Sequence, residues 1–180
     1  MIIGVIGPKQ SGKSTLTKRL VGKYGFTRTA FADPIKKALM VAFGLTWEQV
    51  YGDEKEIPTP KLCGRTPRHA MKTMGTEWGR QMIHRDIWLT AWKNTLPGGL
   101  LVIEDVRFPN EHAELTKGLG GHIVSVRRPG CEYDPTHESE AHADLPWDYR
   151  ITNDGTLEQF EAQIDAICNE LKLQEVESAP

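Results

Sequence analysis

The sequence predicts an α/β fold in which a parallel sheet is covered by helices on both faces. Three observations predict it. Short apolar runs alternate with helix-period segments along the chain, an order that calls for parallel strands joined by helical crossovers. The first apolar run leads into a glycine-rich turn and then a helix. The 180 residues suit one core, long enough to need no disulfide or metal staple.

Each element has its own warrant. Ile2 to Ile6 is a short apolar run that reads as a buried strand. Ser14 to Tyr24 reads as a helix with Leu16, Leu20 and Val21 on one face, and Phe26 to Ala32 as a second strand. Asp33-Pro34 is a helix start, Asp as N-cap and Pro at the first helical position, and that helix ends at Gly44. Residues 46–65, with Pro58, Pro60, Gly52 and Gly64, read as a short helix and then a mobile loop. Thr66-Pro67 opens a helix whose apolar face holds Ala70, Met71, Met74 and Trp78. Asp86 to Leu96 is helical and stops at Pro97-Gly98-Gly99.

Leu100 to Glu104 is the strongest strand signal, followed by a helix over Pro109 to Gly118 and a strand over His122 to Val126. A long loop, 127–146, reads as a lid, since loops of that length in a compact domain are usually functional. Tyr149 to Thr152 is the last strand and Leu157 to Leu173 the last helix. The predicted organisation is therefore one domain over 1–173, with an acceptor-binding region at 46–95 and the lid at 127–146. Residues 174–180 read as a flexible tail.

Composition narrows the function. Lys and Arg number 22 and Asp and Glu 24, a net charge of −2, which argues against a surface that wraps nucleic acid. The charge is uneven. The chain carries no acid before Asp33, whereas Glu158, Glu161, Asp165, Glu170 and Glu175 crowd its end. The plain reading is a solvated helix at each end. Cys63, Cys131 and Cys168 form no CxxC pair, which disfavours zinc and suits a reducing cytoplasm. No apolar run is long enough to span a membrane.

Gly7-Pro8-Lys9-Gln10-Ser11-Gly12-Lys13-Ser14 matches GxxxxGK[ST] between a strand and a helix, the setting of a P-loop. The glycines let successive N–H groups turn toward phosphate oxygens, and the helix N-terminus adds partial positive charge. Lys13 reaches the outer phosphates and the Ser14 hydroxyl suits Mg²⁺. Asp105, closing an apolar strand, is the matching acid for the metal, and Asp33 also falls at the carboxyl edge of the sheet. The fold class sharpens to a three-layer P-loop NTPase fold. GTPases need Asn-Lys-x-Asp, which is missing, so a small chain with loop arginines points to phosphoryl transfer. Arg68, Arg107, Arg127 and Arg128 are the candidates, because a planar guanidinium grips two phosphate oxygens.

Gly75 and Gly79 interrupt a helical pattern at a cost of about 1 kcal/mol each, which signals close packing or a ligand against the backbone. Around them Glu77, Trp78, Arg80, Gln81, Asp86 and Trp88 offer a stacking face and edge hydrogen bonds for a nucleobase, or a packed core with a solvated face. His137, Glu138, Glu140 and His142 read as polar loop residues rather than metal ligands.

Several segments in order resemble the phage-type deoxynucleoside monophosphate kinases of the P-loop nucleoside monophosphate kinase group. They are the P-loop, Phe31-Ala32-Asp33-Pro34-Ile35-Lys36-Lys37-Ala38-Leu39, Arg68, Met74-Gly75-Thr76-Glu77, Asp86, Trp88 and Asp105-Val106-Arg107. Val126-Arg127-Arg128-Pro129-Gly130, Thr136-His137-Glu138-Ser139-Glu140 and Ile151-Thr152-Asn153-Asp154-Gly155-Thr156-Leu157 complete the series. The resemblance implies sheet order 2-3-1-4-5, ATP and Mg²⁺ as cofactors, a deoxynucleoside monophosphate (dNMP) as acceptor and, often, a homodimer. It implies nucleotide contacts from Gly7, Lys9, Gln10, Ser11, Gly12, Lys13, Ser14, Thr15 and Arg127, with Asn153, Asp154 and Gly155 near the adenine. Arg68 and Arg107 would hold the acceptor phosphate and Arg128 bridge the transferring phosphates. Asp33, Lys36, Glu77, Trp78, Gln81, Asp86 and Trp88 complete the acceptor set. A kinase of another small acceptor, such as dephospho-coenzyme A, and an ATPase module of a nucleic-acid machine are the alternatives.

Overall fold

The computed structural model describes residues 1–133 and 145–176. The lid residues from 134 to 144, His137, Glu138, Glu140 and His142 among them, lie outside the described residues. The chain divides into two units, Met1–Ala30 with Pro97–Pro180, and Phe31–Leu96.

The first unit holds a five-stranded sheet, every pairing parallel: β1 (Ile2–Ile6), β2 (Thr27–Thr29), β3 (Leu101–Ile103), β4 (His122–Arg127) and β5 (Tyr149–Thr152). The spatial order is β2-β3-β1-β4-β5, the order that the resemblance implies. β1 is central, paired along both edges, and both of its faces are covered. Ile3 and Val5 point to one face, where they pack with Leu16 and Leu20 of α1 (Lys13–Tyr24) and Phe160 and Ile164 of α7 (Leu157–Glu170). Each such side chain contributes about 1.5–3 kcal/mol by leaving water. On the opposite face a side chain at Gly4 would meet Ile123 and Leu115 at 2.8 Å, so glycine is what lets the helix there approach β1. That helix is α6 (Pro109–Ala113), continued by π-type turns over Glu114–Gly118.

β2 is shorter than the sequence suggests. Its partner β3 offers only Leu101, Val102 and Ile103 to pair with, so Phe26 and Ala30 flank the strand while still being buried. The charges at the chain ends are not merely solvated. Asp165 of α7 accepts from Arg19 Nε (3.1 Å) and Nη2 (2.7 Å), Lys23 Nζ (2.8 Å) and Tyr24 Oη (2.9 Å). Arg19 also reaches Glu161 at 2.8 Å, and Lys23 reaches Glu175 at 2.9 Å. The basic start and the acidic end therefore form a seam between α1 and α7. The Arg19 guanidinium holds the Asp165 carboxyl well below the usual carboxylate range, while partial burial opposes it. Beyond α7, Val176 N–H donates to Lys23 O (2.9 Å).

The second unit is helical: α2 (Asp33–Phe43), α3 (Trp47–Val50), 3₁₀ turns at Asp53–Glu56 and Pro60–Leu62, α4 (Pro67–Thr73), a π-helical stretch Met74–Ile83 and α5 (Ile87–Lys93). Ile35, Leu39, Leu45, Val50 and Trp88 form its core. Asp33 is not the N-cap. Ala32 takes that position without a side-chain cap, and Asp33 lies in the first turn. The segment after α3 is a pair of tight turns rather than an irregular loop. Thr59 closes the second, its N–H bonded to Arg65 O (3.1 Å) and its carbonyl to Gly64 N–H (3.0 Å).

Candidate active site

β1 ends where the chain must turn sharply. Gly7 and Gly12 have φ of +151° and +114°, and Gln10 between them has +65°. Only glycine fits the outer two. A side chain at Gly7 would lie 2.4 Å from Val126 O, and one at Gly12 would lie 2.8 Å from Asn153 Nδ2. α1 begins at Lys13 with no side-chain cap and no acid in its first turn, so its leading N–H groups meet no carboxylate of their own. Lys13 Nζ donates back to Gly7 O (2.7 Å) and Pro8 O (2.6 Å), spanning the loop. Ser11 Oγ is fully buried and has no hydrogen-bond partner among the described residues. Lys9, Gln10 and Ser14 are exposed and Thr15 is half-buried. A glycine-bent loop, an uncapped helix start and one ammonium thus come together, a combination suited to phosphate.

The adjacent strand β3 delivers Asp105 and Arg107. The segment that carries them is pinned by Glu111, which is 2% exposed and accepts from the N–H groups of Arg107 (2.9 Å) and Phe108 (3.1 Å). Arg107 itself is exposed. Arg127 closes β4 and packs over the Tyr133 ring at 5.0 Å, and Arg128 is exposed just beyond it. Asn153 follows β5 and donates to Ser11 O (3.0 Å), while Asp154 and Gly155 are exposed. The sheet thus gathers P-loop, Asp105, Arg107, Arg127 and Asn153 at the carboxyl ends of neighbouring strands, as ligand sites in open α/β sheets are built. Ser14 and Asp105 supply hard oxygen donors, which fit Mg²⁺. Among the described residues no three His, Cys, Asp or Glu side chains gather as metal ligands.

In the second unit Asp33, 9% exposed, accepts from Tyr51 Oη at 3.1 Å, and Lys36 Nζ lies 4.2 Å from the Tyr51 ring centre. Arg68 donates to Glu56 at 2.9 Å. Glu77, Trp78 and Gln81 stand exposed on the π-helical stretch, and Asp86 precedes α5. Trp88 is buried; its Nε1 donates to Gly75 O (2.8 Å), and a side chain at Gly79 would lie 2.3 Å from that nitrogen. Gly79 is therefore there for close packing, and Trp88 is core rather than an open stacking face. The exposed ring is Trp78, 5.9 Å from Trp88.

No family model matches the chain. A relative from Acanthamoeba polyphaga mimivirus, named "Putative deoxynucleotide monophosphate kinase", is 37% identical over 182 residues, covering 91% of this chain and 94% of the relative. The chain belongs to the deoxynucleotide monophosphate kinase family. Over a shorter stretch of 49 residues it is 43% identical to the deoxynucleoside-5'-monophosphate kinase of Escherichia phage T5, covering 26% of this chain and 20% of that protein. The crystal structure of TT1252 from Thermus thermophilus shares the fold at 18% identity and a TM-score of 0.52, over 95% of this chain and 97% of that one.

In this member of the deoxynucleotide monophosphate kinase family, Tyr51, Glu111 and the Asn153–Ser11 bond are contributions that motif reading does not find. Tyr51 lies in the segment without regular pattern. Glu111 carries a detectable signal, an acid in the first turn of a Pro-initiated helix. No helix among the described residues is long and apolar enough to cross a membrane.

Proposed function

We propose that the chain transfers the γ-phosphoryl group of ATP to the phosphate of a dNMP, giving ADP and the deoxynucleoside diphosphate. The observation that carries the reading is the uncapped α1 start behind Gly7 and Gly12, with Lys13 folded across the loop. An oxygen of the acceptor phosphate attacks the γ-phosphorus as the bond to the bridging oxygen of ADP breaks, so no covalent enzyme intermediate is needed. The transition state spreads negative charge over the transferring oxygens, and the chain's part is alignment and neutralisation.

Lys13 leaves the loop carbonyls and meets the outer phosphates. Arg107 and Arg128 neutralise the developing charge, and Arg127 lies on the nucleotide side with Asp154 and Gly155. Ser14 and Asp105 would hold Mg²⁺, whose positive charge would offset that of the phosphates. Arg68 aligns the acceptor phosphate once it exchanges Glu56 for it, a small cost because that pair is exposed. Asp33 and Lys36, held in place by Tyr51, together with Glu77, Trp78, Gln81 and Asp86, supply the polar and aromatic groups for the deoxynucleoside. The family relationship does not favour the dephospho-coenzyme A and nucleic-acid ATPase alternatives.

A coupled assay with Mg·ATP and each of the four dNMPs tests this. We expect ADP release that requires the acceptor. Release no higher than background with all four would remove the proposal.

A further inference from the structure

The end of β5 does more than border the nucleotide. Gln163 of α7 grips Thr152 twice, accepting from its N–H at 3.0 Å and donating to its carbonyl at 2.9 Å. The next residue, Asn153, is thereby fixed, with its backbone bonded to the end of β4 and its side chain to the loop after β1. Its backbone N–H donates to Arg127 O at 2.7 Å, and its side-chain Nδ2 donates to Ser11 O at 3.0 Å. A peptide unit is planar and trans, so its C=O and N–H point in opposite directions. Holding the Ser11 carbonyl against Asn153 therefore turns the Gly12 N–H away from Asn153. The packing is tight enough to enforce this. A side chain at Gly12 would lie 2.8 Å from Asn153 Nδ2 and 3.3 Å from the Phe160 ring, so the amide occupies the space that any other residue would fill.

We propose that Asn153 is a positioning residue: it sets the Ser11–Gly12 peptide for phosphate and ties that loop to the root of Arg127 and Arg128. The inference rests on the reading that the cradle holds the ATP phosphates. It assigns the amide to the protein's own backbone rather than to the adenine. One alignment would then serve both the P-loop and the arginine pair.

The test compares Mg·ATP with Mg·tripolyphosphate, which has phosphates and no base, by calorimetric titration of wild type, Asn153→Ala and Asn153→Asp. Loss of one such bond predicts that Asn153→Ala weakens both ligands by about tenfold. Asn153→Asp, which sets a carboxylate against the Ser11 carbonyl, should weaken both further. Equal loss for both ligands supports positioning. Loss confined to ATP would mean that Asn153 touches the base and would overturn the proposal. A lowered Tm with unchanged affinity of the folded protein would also overturn it, leaving only a packing role. If Asn153→Asp fails to fold, Asn153→Ala decides by the same readings. Wild type that binds neither ligand would instead overturn the reading of the cradle, and the proposal with it.

Discussion

Lys13 and Lys23 stand toward opposite ends of α1 and meet opposite surroundings. Lys23 and its neighbour in space Arg19 face the carboxylates of Asp165, Glu161 and Glu175. Lys13 is folded over the carbonyls of Gly7 and Pro8. A carbonyl satisfies an ammonium's donors but cancels none of its charge, whereas a carboxylate does both. One end of the helix is thus held in place by ion pairs, and the other sets its ammonium across the loop that follows β1. The contrast shows that a run of basic residues says little about function until each partner is known.

The largest effect should come from the cradle end. Lys13→Met should lower kcat by about 10²–10³-fold, because a charge acting in the transition state is lost. Its Tm should move by less than about 2 °C, since the two carbonyls it leaves can bind water. A drop in Tm with near-normal turnover would reverse the comparison. At the seam end Asp165→Asn should do the opposite, costing about 1–3 kcal/mol of stability and leaving kcat within about twofold.

The pH dependence follows from the same carboxylate. Its folded pKa is depressed, so its stabilising contribution is full above the unfolded value near 3.9 and is lost as pH falls through and below it. The stability gap between wild type and Asp165→Asn, measured by urea melts, should be constant from about pH 6 to 8 and close below about pH 4. A gap that widened in acid would contradict the seam. The smallest effect belongs to an exposed pair: Glu56→Gln, which frees Arg68, should change stability by less than about 0.5 kcal/mol in the same melts.

Much of the first unit was legible in the sequence. Ile2–Ile6 and Tyr149–Thr152 read as strands with the boundaries observed, because an apolar run between turn residues has few other solutions. The P-loop was legible for the same local reason, its glycines marking φ values that other residues avoid. The second unit was less so. Met74–Ile83 follows a hydrogen-bond spacing of five, seen in His84 N–H to Gly79 O at 3.0 Å. A 3.6-residue period therefore misplaces Trp78, which is exposed, relative to Ala70 and Met71. Asp33 reads as a cap from the sequence, yet its carboxylate accepts from Tyr51, which lies in a segment with no pattern. The Asn153–Ser11 bond and the Arg19–Asp165 pair join residues far apart in sequence, and no local rule reports such partners.

The division of the chain has a consequence for its synthesis. Phe31–Leu96 is continuous, whereas the other unit is assembled from both ends of the chain. Chains emerge from the ribosome N-terminus first. The central strand β1 is made before the helical unit, whereas its neighbours β3 and β4 and the acids that meet Arg19 and Lys23 are translated after it. A nascent chain thus carries a basic α1 without its matching acids until α7 appears. The inserted helical unit can be complete while Ser11 still lacks its bond to Asn153, so the unit that carries the sheet is completed after the helical one.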